Sequence, residues 1–91
     1  VIRYINKDIF SNMIKLSYLD LSFNKLKYLY SETFSKNLDL NRLILKNNYF
    51  LNLEPYLFSK NSKLQTLNIE DNFFSDLNFK FDQIRSIYLS N

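Results

Sequence analysis

From Leu16 onward, apolar and polar positions fall in an order that repeats. Leu16, Leu19, Leu21, Leu26, Leu29 and Phe34 are followed twenty-four residues later by Leu40, Leu43, Leu45, Phe50, Leu53 and Phe58, and Asn24 and Asn48 keep the same phase. A third copy supplies Leu64, Leu67, Ile69, Asn72, Phe74 and Leu77. Ile84, Ile87 and Leu89 open another after only twenty residues, while Ile2, Ile5 and Phe10 match the tail of an earlier copy. Self-similarity at such a period marks stacked units, none of which can bury its apolar face alone. The chain is therefore expected to be one array over 1–91: a partial repeat at 1–15, repeats at 16–39, 40–63 and 64–83, and a partial repeat at 84–91.

Each copy begins with an alternation of apolar and mostly polar residues, as in Leu19-Asp20-Leu21-Ser22 and Leu67-Asn68-Ile69-Glu70. A period of two predicts a half-buried strand, here at 18–22, 42–46, 66–70 and 86–90. Copies that run in one chain direction pair in parallel about 4.8 Å apart, with inward leucines forming a continuous column. Parallel pairing requires a return path, which segments such as 24–39 supply. Asn24, Asn48 and Asn72 come where the chain leaves the strand, and an inward amide there can donate and accept at once. Phe10, Phe34 and Phe58 keep a fixed phase with the inward leucines and are expected to stack as an aromatic column on the opposite side. The short third copy has Asp82 where the next Phe would stand, with Phe79 and Phe81 available to fill the same void from a shorter arc. The alternation in 75–81 predicts an extended segment there.

Written as a template, these residues read LxxLxLxxNxLxxLxxxxF, and over essentially its whole length the chain resembles the leucine-rich repeat family. Copies of twenty-four residues, with Asn at the ninth position and Phe at the nineteenth, are similar to the typical class found in Toll-like receptor ectodomains and arthropod extracellular repeat proteins. The resemblance implies an α/β solenoid, a right-handed coil bent into a horseshoe arc with one short parallel strand per repeat and an irregular or short-helical convex side. It also implies that Asn24, Asn48 and Asn72 form a ladder bonded to the backbone of neighbouring turns.

Composition narrows the chemistry. The chain contains no His, Cys or Gly, which excludes zinc sites built on imidazole or thiolate, cysteine nucleophiles, Ser-His-Asp triads and glycine-dependent phosphate loops. The net charge of +3 comes from lysines scattered along the chain and interrupted by acids, so no nucleic-acid partner is expected. No run approaches the ~20 apolar residues of a membrane helix, so no membrane contact is expected within this segment. Two candidate chemistries fail on geometry. Asp20 would lie two strands, roughly 10 Å, from Glu70 and Asp71, too far for a shared cation or a carboxylate pair. Ser22 and Lys46 would be adjacent, but an open strand face offers no desolvation to activate the amine. No enzyme activity, cofactor or metal is expected.

Stacked strands would place Tyr18 and Arg42 in one outward column, Asp20, Ile44, Asn68 and Tyr88 in the next, and Lys46 and Glu70 in a third, with Phe23 at the margin. Exposed aromatics beside scattered charge are the composition of protein interfaces. The same residues also serve the sheet itself, with Arg42 stacking on Tyr18 and Lys46 pairing with Glu70. The expected function is a non-catalytic interaction scaffold, an internal part of a receptor-like or secreted recognition protein that binds a protein or other macromolecular ligand on its concave face or flanks. By resemblance this suggests innate immunity or adhesion. Two alternatives stay open: a cytoplasmic adaptor, and a repeat module attached to an enzyme domain outside these residues. At its ends, the Ile2, Ile5 and Phe10 edge and the Ile84, Ile87 and Leu89 edge are expected to lack cover.

Overall fold

The computed structural model describes residues 1–75, 81 and 84–88. The alternating start of each copy becomes a strand of three residues: β1 (Tyr18–Asp20), β2 (Arg42–Ile44), β3 (Thr66–Asn68) and β4 (Ser86–Tyr88). All four lie parallel in one sheet in the order β1-β2-β3-β4. Leu19, Leu43, Leu67 and Ile87 stand in register at the strand centres. Leu43 and Leu67 are fully buried, whereas the two edge residues are partly buried against the core. Thr66 pairs with Ser86, so the twenty-residue copy keeps strand register and loses its four residues in the return arc.

The first three strands stop two residues earlier than the alternation predicts, although pairing continues. The amides of Leu21 and Phe23 donate to the carbonyls of Ile44 and Lys46 at 2.8 and 3.0 Å, and those of Leu45 and Asn47 donate to Asn68 and Glu70 at the same distances. At the ends of β1 and β3 a side chain takes over. Asp20 Oδ1 accepts the Ser22 amide at 2.9 Å, and Asn68 Oδ1 accepts the Glu70 amide at 3.0 Å, each closing a local turn. One residue later Phe23, Asn47 and Asp71 adopt φ of 59°, 56° and 57°. With no glycine available, the left-handed corner of each copy falls on a residue with a Cβ, tolerable for Asn and Asp and costly for Phe.

The return arcs correct the expected fold class. Among the described residues there is no helix, so the α component of an α/β assignment is absent and the arc is irregular. It runs through spaced turns in which an amide donates three residues back: Thr33 to Tyr30, Ser35 to Glu32, Asn37 to Phe34 and Leu40 to Asn37. The same four bonds recur at Leu57, Ser59, Asn61 and Leu64, and earlier at Ile9, Ser11, Met13 and Leu16. Bonds at every second or third residue do not propagate a helix, whose nucleation requires consecutive ones. The arc instead takes its cross-copy partners from side-chain amides.

Between sheet and arc lies one core. Leu26, Leu29, Phe34, Leu40, Leu43, Leu45, Phe50, Leu57, Phe58, Leu64, Leu67 and Ile69 are buried essentially completely. Phe10 and Phe34 stack with ring centroids 5.9 Å apart, and Phe34 and Phe58 follow at 6.2 Å. Phe81 then meets Phe58 edge-on at 5.1 Å, so the shorter arc continues the aromatic column with a rotated ring. Phe79 and most of the predicted extended segment lie outside the described residues. The expected bare edge at the first copy is corrected for two of its three residues: Ile5 and Phe10 are only 3% and 7% exposed, while Ile2 is 44% exposed. At the other edge Ile84 is buried and Ile87 partly so, and Leu89 lies outside the described residues.

Candidate functional site

Because successive strands stack in register, outward side chains fall into columns. Tyr18, Arg42, Thr66 and Ser86 form the first; the Arg42 guanidinium sits 5.1 Å from the centre of the Tyr18 ring. Both residues remain exposed, so this contact organises the surface without burying it. Asp20, Ile44, Asn68 and Tyr88 form the second column. Two of its members are engaged locally. Asp20 Oδ1 also accepts the Ser22 hydroxyl at 2.6 Å, and the hydroxyl and amide of Ser22 hold its carboxyl below the usual carboxylate range. Asn68 closes the equivalent turn, which leaves half-buried Ile44 and exposed Tyr88 as the column's free apolar surface. Lys46 and Glu70 follow one step on, where the Asn47 amide joins the two segments, and both are half-buried. Phe23 stands at the margin with 68% of its surface exposed, on a left-handed backbone.

The inward amides work across copies. Asn48 Oδ1 accepts the Leu26 amide of the preceding copy at 3.0 Å, and Asn72 Oδ1 accepts that of Phe50 at 3.1 Å. Asn48 Nδ2 donates to the carbonyls of Leu21, Leu45 and Lys46, and Asn72 Nδ2 donates to Leu45, Ile69 and Glu70. Asn24 does the same at the first described step, accepting from Ile2 and donating to Leu21 and Ser22, but it is only half-buried. Each such amide ties its own turn to the one before it.

A second set on the opposite side escaped the sequence analysis. Asn37 Nδ2 donates to the carbonyls of Phe10 and Met13, and Asn61 Nδ2 donates to Phe34 and Asn37, all at 2.9 to 3.0 Å. Both residues are fully buried, and neither Oδ1 has a hydrogen-bond partner among the described residues. The signal was present as a recurrence three places after Phe34 and Phe58. It was hard to read because Met13 interrupts it in the first copy and the shortened copy puts Phe81 at the backbone position of Asn61, three residues before the next inward apolar residue.

The flank beside the sheet carries a further cluster. The amides of Lys25, Tyr49 and Phe73 donate to Ile2, Leu26 and Phe50, so these residues occupy the same step of consecutive copies. Tyr49 and Phe73 lie 5.8 Å apart and, with Lys27 and Leu51, line a depression of about 460 Å³. A smaller one of about 220 Å³ adjoins it, lined by Arg3, Lys25, Lys27 and Tyr49. Among the described residues, no group of three His, Cys, Asp or Glu side chains is placed to hold a metal ion, and no helix is long and apolar enough to cross a membrane. Comparison with models of known families finds no match for this chain, and comparison with curated proteins finds none either.

Proposed function

We propose that the chain is a leucine-rich repeat array, coiled right-handedly with the sheet on its concave side, and that it acts as a non-catalytic scaffold in a receptor-like or secreted recognition protein. The observation that carries this is the division of labour within each copy. Inward positions are committed to packing and amide bonds, while the outward columns hold chemically varied, exposed or half-buried side chains on a repeating backbone. Such a surface suits a macromolecular partner, because binding energy concentrates in aromatic and Arg anchors. Tyr18, Phe23, Arg42 and Tyr88 are those anchors here. Asp20 and Asn68 act through the turns they close, and Ile44, Lys46 and Glu70 complete the contact surface.

The test begins with the intact protein and a partner recovered by crosslinking. Alanine at Tyr18, Phe23, Arg42 or Tyr88 should weaken binding about tenfold or more, while alanine at the exposed arc residues Lys36 and Lys60 should leave it unchanged. Loss confined to Lys36 and Lys60 would move the site off the sheet and overturn the proposal.

A further inference from the structure

We propose that the flank formed by Arg3, Lys25, Lys27, Tyr49, Leu51 and Phe73 is a second docking surface, and that its occupant is a polypeptide segment with carboxylates at one end and apolar side chains at the other. The inference rests on the recognition function proposed above but places this contact on the flank instead of the sheet face. Leu51 and Phe73 are 65% and 60% exposed and line the same depression, so they form part of one apolar patch instead of standing singly. Neither is needed by the core. The inward positions of the same copies are filled by Phe50 and Leu53 in one and partly buried Phe74 in the next.

The choice of occupant comes from charge. Lys25 and Lys27 stand in the copy before Tyr49 and Leu51, so polarity changes along the stacking axis from cationic to aromatic and aliphatic. No described carboxylate lies within salt-bridge distance of Arg3, Lys25 or Lys27; the described ion pair joins Lys63 to Asp39 on the arc. Glu54, the acid nearest in sequence to Leu51, accepts the Tyr28 hydroxyl at 2.9 Å. Three cations without an ion-pair partner among the described residues, next to a depression whose volume suits one or two large side chains, complement a segment that carries acids before or after an apolar anchor. An anionic bilayer fits less well, since three apolar side chains, Tyr49, Leu51 and Phe73, fall short of the continuous apolar face that lies in a membrane interface.

Short random peptides displayed against the intact protein provide the probe. Selected sequences should combine Asp or Glu with a Phe, Leu or Tyr anchor. A labelled selected peptide should lose about tenfold or more in affinity with Phe73→Ser and with the Lys25→Glu, Lys27→Glu double variant, and it should bind less tightly as salt rises. Arg42→Ala should leave it unaffected. Basic or neutral selected sequences, no selection, or displacement by phosphatidylserine vesicles but not by acidic peptides would overturn the assignment. So would a peptide lost with Arg42→Ala and retained with Phe73→Ser, an outcome that would leave the sheet-face function standing. Circular dichroism of each variant separates lost contact from lost fold.

Discussion

Asn48→Ala gives the sharpest test of how the copies are held together. Truncation leaves the buried Leu26 amide without its only hydrogen-bond acceptor among the described residues, Asn48 Oδ1 at 3.0 Å. An orphaned buried donor costs about 1–3 kcal/mol. The carbonyls are better protected: Leu21 still receives Asn24 Nδ2, Leu45 still receives Asn72 Nδ2, and Lys46 still receives the Phe23 amide. Losing three secondary donors while a partner remains adds about 1 kcal/mol, giving about 2–4 kcal/mol in all. Two neighbours calibrate the result. Asn24→Ala removes the equivalent amide where it is half-buried and where the donor it accepts from, the Ile2 amide, belongs to an exposed residue, so it should cost under about 1 kcal/mol. Asn47→Ala is not neutral, although its side chain is half-buried, because φ of 56° favours Asn over Ala by about 1 kcal/mol. Urea unfolding of the intact protein, compared at equal m-values, should rank Asn48→Ala well below both. A midpoint for Asn48→Ala matching that of Asn24→Ala would refute the cross-copy role of the amide.

Phe34→Ala should destabilise by about 3–5 kcal/mol and Phe10→Ala by less, because Phe34 is stacked on both sides and Phe10 on one; equal losses in denaturant melts would contradict a continuous column. Phe23→Asn should raise stability by about 1 kcal/mol by relieving a left-handed Phe, while weakening binding to a sheet-face partner. A thermal melt showing lower stability would mean that the exposed ring contributes more than its backbone costs. The Asp20 carboxyl, held below its usual range by Ser22, contributes stability that is present above its unfolded value and is lost as pH falls through its folded one. NMR titration should place Asp20 below a typical Asp, and Ser22→Ala, which removes the hydroxyl but keeps the amide, should raise it part of the way back.

Exposed Phe23 combines backbone cost with accessible aromatic surface, at a corner where Asn47 and Asp71 show that residues better suited to this conformation are available. Strain of this kind is kept where a side chain is needed at its position. This favours Phe23 as a contact residue over Asp20 and Asn68, whose Oδ1 atoms are already engaged in the Ser22 and Glu70 turns.

The spacing of Leu19, Leu43, Leu67 and Ile87 was enough to locate all four strands and their parallel order, because only full-copy offsets bring every inward apolar residue onto one side at once. The phase of Phe10, Phe34 and Phe58 likewise marked them as one column. Tertiary structure decided what periodicity does not encode, namely which groups meet across a gap between copies. A hydrogen bond from Asn61 to Phe34 and Asn37 spans a whole copy, and Phe81 can take the place of a missing ring only because its arc is four residues shorter. The left-handed corners were also invisible in a chain without glycine, since Phe, Asn and Asp share no signature beyond their common place in the copy. Local pattern sets where a residue stands along its own turn, whereas the energy that selects its partner comes from backbone groups buried between turns, and those exist only once the copies have stacked.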